Sequence, residues 1–182
     1  MKKPNLNLKN LKSIKALIVD VDGILTDGTI WWHSPGEWRR NFNIYDGFGI
    51  RELVKEGFIV AMITGSNAQD IRERKEKLNI HYLYEGMEDK IPSFEDFLKK
   101  TNLKANEVAY IGDDLPDVPV LKRAGFAASV PTAMAEAKKV AMYITKKDGG
   151  KGAVRELCDI LIAAKNSSPQ KTIRKTARKR KK

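Results

Sequence analysis

Residues 16–28 read ALIVDVDGILTDG, and the fold follows from how this stretch is read. The apolar run Ala16-Leu17-Ile18-Val19 is too short for a helix and too continuous for a strand with one wet face, so it predicts a buried strand of a parallel sheet. Asp20 and Asp22 follow at its end, with Gly23 loosening the turn behind them. Acidic groups are thereby gathered beyond the carboxyl end of a strand, where open α/β sheets place their ligands. Like charges repel there unless something positive binds. Taken alone, the stretch also reads as a turn rich in Asp and Gly.

Working outward, the same rhythm repeats. Phe58 to Ile63 predicts a second buried strand ending at Thr64-Gly65-Ser66, Ile80 to Tyr84 a third, and Val108 to Ile111 a fourth that runs into Gly112-Asp113-Asp114-Leu115-Pro116-Asp117. Helices are expected between them over 47–56, 68–78 and 90–100. Phe126–Val130 and Met142–Thr145 add short strands, and residues 152–164 form an amphipathic helix with Val154, Leu157, Cys158, Leu161 and Ile162 inward. Alternation of this kind specifies an α/β fold with a doubly wound, mostly parallel, Rossmann-like sheet. Between the first strand and the first helix, residues 29–44 read as two strands about Ser34-Pro35-Gly36. This projecting β-hairpin carries Trp31, Trp32 and Trp38, more aromatic surface than one hairpin can bury, which predicts self-association.

At 182 residues the chain has room for one full core and not for two. No apolar run approaches the roughly 18 residues that span a bilayer, and the start, MKKPNLNLKNLKS, lacks the apolar segment of a secretory signal. A cytoplasmic protein is expected. The lone Cys158 has apolar neighbours and reads as a packed thiol. The net charge of +11 is concentrated at the ends: Lys165 to Lys182 holds nine Lys or Arg and no acid, and Met1 to Lys15 five Lys and no acid. The intervening body is left mildly acidic, so the folded domain itself predicts no specific nucleic-acid partner, and the tail reads as a solvated basic segment.

Three strand ends converge in such a sheet: Asp20 with Asp22, Thr64 with Gly65, and Asp113 with Asp114 and Asp117, while Lys90 lies between the second and fourth strands in sequence. Carboxylates, a hydroxyl and a lysine suit an oxygen-liganded hard cation, and Mg²⁺ needs only one or two carboxylates plus a phosphate oxygen. His33 and His81 sit away from these ends, which disfavours zinc and a Ser-His-Asp triad. Phosphoryl transfer fits the set. Asp20 is placed to be the nucleophile and Asp22 the general acid and base. Thr64, Lys90 and the amides of the helix after Gly65 would supply countercharge to the phosphoryl oxygens.

DVDGILTDG, ITGS, Lys90 and GDDLPD together resemble the four ordered motifs of the haloacid dehalogenase-like phosphatase superfamily. NFNIYDGFGIREL and DGGKGAVRELCDILIAAK are similar to further signatures of its octulosonate 8-phosphate phosphatases. The likeness covers about residues 14–165, leaving 1–13 and 166–182 as basic extensions. It implies a member without a cap domain, in which the hairpin stands in for a lid, and a homotetramer assembled through hairpins. It also implies Mg²⁺ held by the Asp20 and Asp113 side chains with the Asp22 carbonyl. Activity on a 3-deoxy sugar acid phosphate, in synthesis of the lipopolysaccharide inner core, is the corresponding expectation. Its substrate contacts would fall on Asp22, Asn43, Ile44, Tyr45, Asp46, Gly47, Arg51, Gly65, Ser66, Arg74 and Lys90. Many relatives have Arg where Ser66 stands, so one of their contacts is missing or replaced here. Two alternatives remain open at this stage: a nine-carbon sugar acid 9-phosphate as substrate, or an inactive phosphatase fold that binds through its basic tail.

Overall fold

A computed structural model describes residues 11–33 and 36–167. The basic segments at 1–10 and 168–182 lie outside the described residues, as do Ser34 and Pro35 in the hairpin turn. The central sheet has six strands: β1 (Ala16–Val19), β4 (Ile59–Ile63), β5 (Tyr82–Tyr84), β6 (Val108–Ile111), β7 (Phe126–Ser129) and β8 (Tyr143–Ile144). They lie in the order β5-β4-β1-β6-β7-β8, with every pair parallel. Helices α1 (Ile44–Lys55), α2 (Gln69–Leu78) and α3 (Ile91–Thr101) supply the long crossovers, α4 (Val118–Leu121) and α5 (Ala135–Val140) are short, and α6 (Ala153–Asn166) follows the last strand. Strands β2 (Ile30–His33) and β3 (Glu37–Arg40) pair antiparallel as a separate ribbon.

Strand β1 lies between β4 and β6, and all four of its residues are buried. The chain leaves β1 for β4 on one side and, after β5, crosses to β6 on the other. This reversal opens a crevice beyond the carboxyl ends of β1, β4 and β6, the topological switch point where such sheets bind ligands. The continuous apolar runs in β1, β4 and β6 are thereby explained: both faces of these strands are covered by helices.

Four readings are corrected by the structure. The hairpin strand ends at Arg40, and the following helix begins at Ile44, not Gly47, because Asn43 caps it: its Oδ1 accepts the amides of Tyr45 at 2.7 Å and Asp46 at 3.4 Å. The strand reading carried to Ile44 because the apolar Phe42 and Ile44 alternate with polar residues, and Asn43 within that run is the cap. The third strand is only Tyr82–Tyr84, so His81 precedes it, and its Nδ1 accepts the Val60 amide at 3.1 Å. The short helices α4 and α5 fall below the length at which periodicity is visible in a sequence. In α6, Val154, Leu157, Cys158 and Leu161 are fully buried as expected, whereas Ile162 is only half-buried.

Helix α1 packs closely on α6 because Gly49 faces Arg155; a Cβ at Gly49 would meet Arg155 Cδ at 2.9 Å and its Cα at 3.0 Å. The same junction is tied by a buried carboxylate. Asp46 accepts the Gly152 amide at 3.2 Å and the Arg155 amide at 2.8 Å, capping α6 from a neighbouring helix. Both extended signatures, NFNIYDG and DGGKGAVRELCDI, therefore meet at one structural joint.

Candidate active site

Four segments build a cavity of about 350 Å³ at the switch point, lined by Asp20 and Asp22 after β1, Thr64, Gly65 and Ser66 after β4, Lys90 at the head of α3, and Asp113, Asp114 and Asp117 after β6. The register fixes the first of these, since the Asp20 amide donates to Ile111 O at 3.0 Å and so continues the β1–β6 pairing past the strand end. Gly23 makes the approach possible. It has φ +86°, and a Cβ there would lie 2.1 Å from Asp113 Oδ2.

Lys90 Nζ bridges two buried carboxylates, at 2.8 Å from Asp20 Oδ1 and 2.6 Å from Asp117 Oδ1. Asp117 is the hub of the site. Its Oδ1 also accepts the Tyr110 hydroxyl at 2.5 Å, and its Oδ2 accepts the amides of Asp113 at 2.9 Å and Asp114 at 3.0 Å. Thus the last Asp of GDDLPD holds the lysine in place and shapes the loop that presents Asp113. Asp114 accepts the Leu115 amide and caps the following turn.

Burial, the charge of Asp117 and the nearby Asp113 raise the Asp20 carboxyl to about 8, against the lowering pull of Lys90. Burial likewise raises Asp113 to about 7, with Asp117 and Asp114 adding to the rise. Burial pulls the Lys90 ammonium down, but Asp20 and Asp117 outweigh it and the net shift is upward. The site thus has more negative charge than one lysine neutralises. One oxygen from each of Asp20, Asp113 and Asp117 lies within 4.8 Å of the others, and Asp113 Oδ1 is buried without a hydrogen-bond partner among the described residues. A hard divalent cation fits this donor set. Since Asp117 is saturated by four donors, Asp20 and Asp113 are the carboxylates left to hold it.

Thr64 is buried, and its Oγ1 accepts the Ser66 amide at 3.1 Å, which leaves the hydroxyl proton to point elsewhere. The helix after Gly65 does not bring its first amides to the cavity: α2 begins at Gln69, and the lining from this segment is Thr64, Gly65 and Ser66. The remaining sequence candidates lie outside this lining. Asn43 and Asp46 organise the head of α1 and its joint to α6, while Ile44, Tyr45 and Arg51 are exposed. Gly47 packs on Arg74, where a Cβ would meet Nη2 at 2.4 Å. Arg74 donates to the Asn43 carbonyl at 2.7 Å, lies over the Phe42 ring at 5.2 Å, and buries an Nε that has no partner among the described residues. It faces a second cavity of about 310 Å³ beside the hairpin, which Trp31, Arg39 and Lys77 also line.

One residue at the acidic site was not foreseen. Arg40, at the end of β3, reaches from the hairpin to Asp22 and donates to Ser66 Oγ at 2.7 Å. A guanidinium therefore stands beside Ser66 after all. The only hint in the sequence was the pair Arg39-Arg40 at the end of the hairpin, with nothing to say which one turned inward.

A haloacid dehalogenase-like hydrolase family model matches residues 83–157. The 3-deoxy-D-manno-octulosonate 8-phosphate phosphatase KdsC of Escherichia coli K12 is 42% identical over 153 residues, which span 84% of this chain and 81% of that protein. The crystal structure of the corresponding Moraxella catarrhalis phosphatase, in complex with magnesium, phosphate and a KDO molecule, superposes with TM-score 0.85 at 40% identity, covering 87% of this chain and 91% of that one. A cobalt-bound form of the Haemophilus influenzae phosphatase superposes with TM-score 0.82 at 34% identity, covering 86% and 91%. The chain belongs to the haloacid dehalogenase-like hydrolases and, within them, to the 3-deoxy-D-manno-octulosonate 8-phosphate phosphatase family of phosphoric monoester hydrolases.

Proposed function

We propose that this chain hydrolyses 3-deoxy-D-manno-octulosonate 8-phosphate to the free sugar acid and inorganic phosphate, using Mg²⁺ held by the Asp20 and Asp113 carboxylates and the Asp22 carbonyl. The observation that carries the proposal is the buried Asp20–Lys90–Asp117 array beside the unpartnered Asp113 oxygen. When bound, the cation supplies the countercharge that two crowded carboxylates and a phosphoryl group require. Asp20 attacks phosphorus in line, the bond from phosphorus to the sugar oxygen breaks, and Asp22 gives that oxygen its proton. Water then attacks the aspartyl phosphate with Asp22 taking its proton, releasing phosphate and restoring Asp20. The Thr64 hydroxyl and Lys90 ammonium stabilise the equatorial oxygens throughout.

The exposed hairpin aromatics support self-association: Trp31, Trp32 and Trp38 are 42, 60 and 52% exposed, and Tyr45 and Phe48 are exposed on α1. Asn43 to Gly47, Arg51 and Arg74 lie outside the acidic cavity, so their contacts with substrate are proposed for the assembled homotetramer. Among the described residues no helix is long and apolar enough to cross a membrane, and a place in cytoplasmic synthesis of the lipopolysaccharide inner core follows from the proposed substrate. Ser66, at the position that carries Arg in many eight-carbon enzymes, leaves substrate length open, and a nine-carbon sugar acid 9-phosphate is the second reading. Steady-state phosphate release from both substrates in Mg²⁺, for the natural chain, Ser66→Arg and Asp20→Asn, tests these readings. A preference for the eight-carbon phosphate and loss of turnover in Asp20→Asn are expected; retained turnover in that variant refutes the covalent route.

A further inference from the structure

Arg40 ends a strand that begins exposed at Glu37 and Trp38, and its side chain is only 5% exposed because it turns from the hairpin toward the acidic cavity. Its Nε donates to Asp22 Oδ1 at 2.6 Å and its Nη2 to Asp22 Oδ2 at 3.1 Å. This forked pair meets both oxygens of one carboxylate, which fixes orientation as well as distance. Behind the fork the guanidinium is itself held. Nη1 donates to Asp70 Oδ1 at 3.2 Å, the Arg40 main-chain amide donates to Asp70 Oδ2 at 2.9 Å, and Nη2 reaches Ser66 Oγ. Asp70 sits in the first turn of α2 and is buried.

Asp22 stands one residue before Gly23, and its side chain is 37% exposed, so among the described residues the fork from Arg40 is what holds its carboxylate. An exposed ion pair between two mobile side chains fixes little, because ordering both costs as much as the attraction returns. Here the arginine is already ordered by Asp70 and Ser66, so the ordering cost falls on Asp22 alone. A proton-transfer group displaced by about 1 Å loses on the order of a hundredfold in rate.

We infer that Arg40 is a positioning residue for Asp22: the shorter Nε arm of the fork holds one carboxylate oxygen while the other oxygen leaves Nη2 to carry the proton, so that the hairpin sets the orientation of the group that exchanges protons with the leaving oxygen. The inference rests on the assignment of Asp22 under Proposed function. It separates Arg40 from a substrate contact and from a merely structural residue by the chemistry of the leaving group. An alkyl phosphate needs its departing oxygen protonated, whereas 4-nitrophenolate leaves unaided, and kcat/KM reports only the steps through departure.

The test compares kcat/KM of the Mg²⁺ enzyme on three probes: the octulosonate 8-phosphate, an aldopentose 5-phosphate lacking a carboxylate, and 4-nitrophenyl phosphate. For Arg40→Ala, a loss of about 10- to 100-fold is expected on both sugar phosphates and less than about threefold on the aryl phosphate. Asp70→Asn, which loosens the anchor without touching Asp22, is expected to give the same pattern at about three- to tenfold, and carries the test if Arg40→Ala does not fold. A crystal structure of the Mg²⁺-loaded variant is expected to show the Asp22 carboxylate moved from its place. Equal losses on all three probes, or none, overturn the inference, and so does a loss confined to the sugar acid, which would make Arg40 a substrate contact. A natural chain that releases no phosphate from any probe refutes the phosphatase reading and this inference together; turnover with a flat response refutes this inference alone.

Discussion

Replacing Asp117 by Asn changes one atom and leaves the volume of the site intact, so its cost isolates the hydrogen bonding of a single carboxylate. The four donors around it come in two pairs: Lys90 Nζ and the Tyr110 hydroxyl on Oδ1, the Asp113 and Asp114 amides on Oδ2. The asparagine NH₂ must face one pair or the other, leaving two buried donors against a donor. Each unpaired buried group costs about 1–3 kcal/mol. Some of that is offset, because the charge of Asp117 is among the causes that hold Asp20 and Asp113 high, and its removal relieves them. The net expectation is a loss of about 2–4 kcal/mol, or about 5–15 °C in Tm for a domain of this size. Urea unfolding followed by far-ultraviolet circular dichroism, in EDTA at pH 7, measures it. A change below about 0.5 kcal/mol with an unaltered denaturant slope would refute the view that Asp117 is a saturated acceptor whose donors have nowhere else to turn.

Metal-free stability is expected to fall as pH rises from about 4 towards 7 and 8. The folded-state Asp113 and Asp20 carboxyls lie at about 7 and about 8, above their ordinary 3.8, so the protonated forms stabilise the fold at low pH and that contribution is lost through this window. The gain in Tm on adding Mg²⁺ should therefore grow between pH 5.5 and 8, since binding the cation releases these protons; differential scanning calorimetry with and without the metal would show a flat increment if the carboxylates do not take it. Asp46→Ala removes the acceptor for the Gly152 and Arg155 amides at the head of α6 and is expected to cost about 2–3 kcal/mol in urea unfolding. Trp32 and Trp38 pack edge to face at 5.2 Å on the open ribbon, and Trp32→Lys with Trp38→Lys should shift sedimentation at micromolar concentration from an oligomer towards the monomer. A monomeric natural chain would remove the basis for that.

By itself the sequence determined the sheet and the ends at which its chemistry stands. Continuous apolar runs mark strands covered on both faces, as at β1 and β6, and a polar residue within the first two positions beyond such a run has to lie at a strand end. Asp20 and Thr64, directly after their strands, and Asp113, one residue further on after Gly112, were therefore legible in the sequence. Lys90 was legible only in the company of the others, since a lysine carries no sign of burial in its neighbours. Tertiary structure alone decided the rest, because each remaining assignment depends on distances between segments far apart in the chain. It made Asp117 an orienting hub and not a free ligand, by closing four donors on it. Asp46 became the cap of a helix 106 residues away. From two adjacent arginines the structure turned Arg40 inward onto Asp22, and so gave the turn at residues 20–23 an orientation that its own glycine-loosened sequence does not supply.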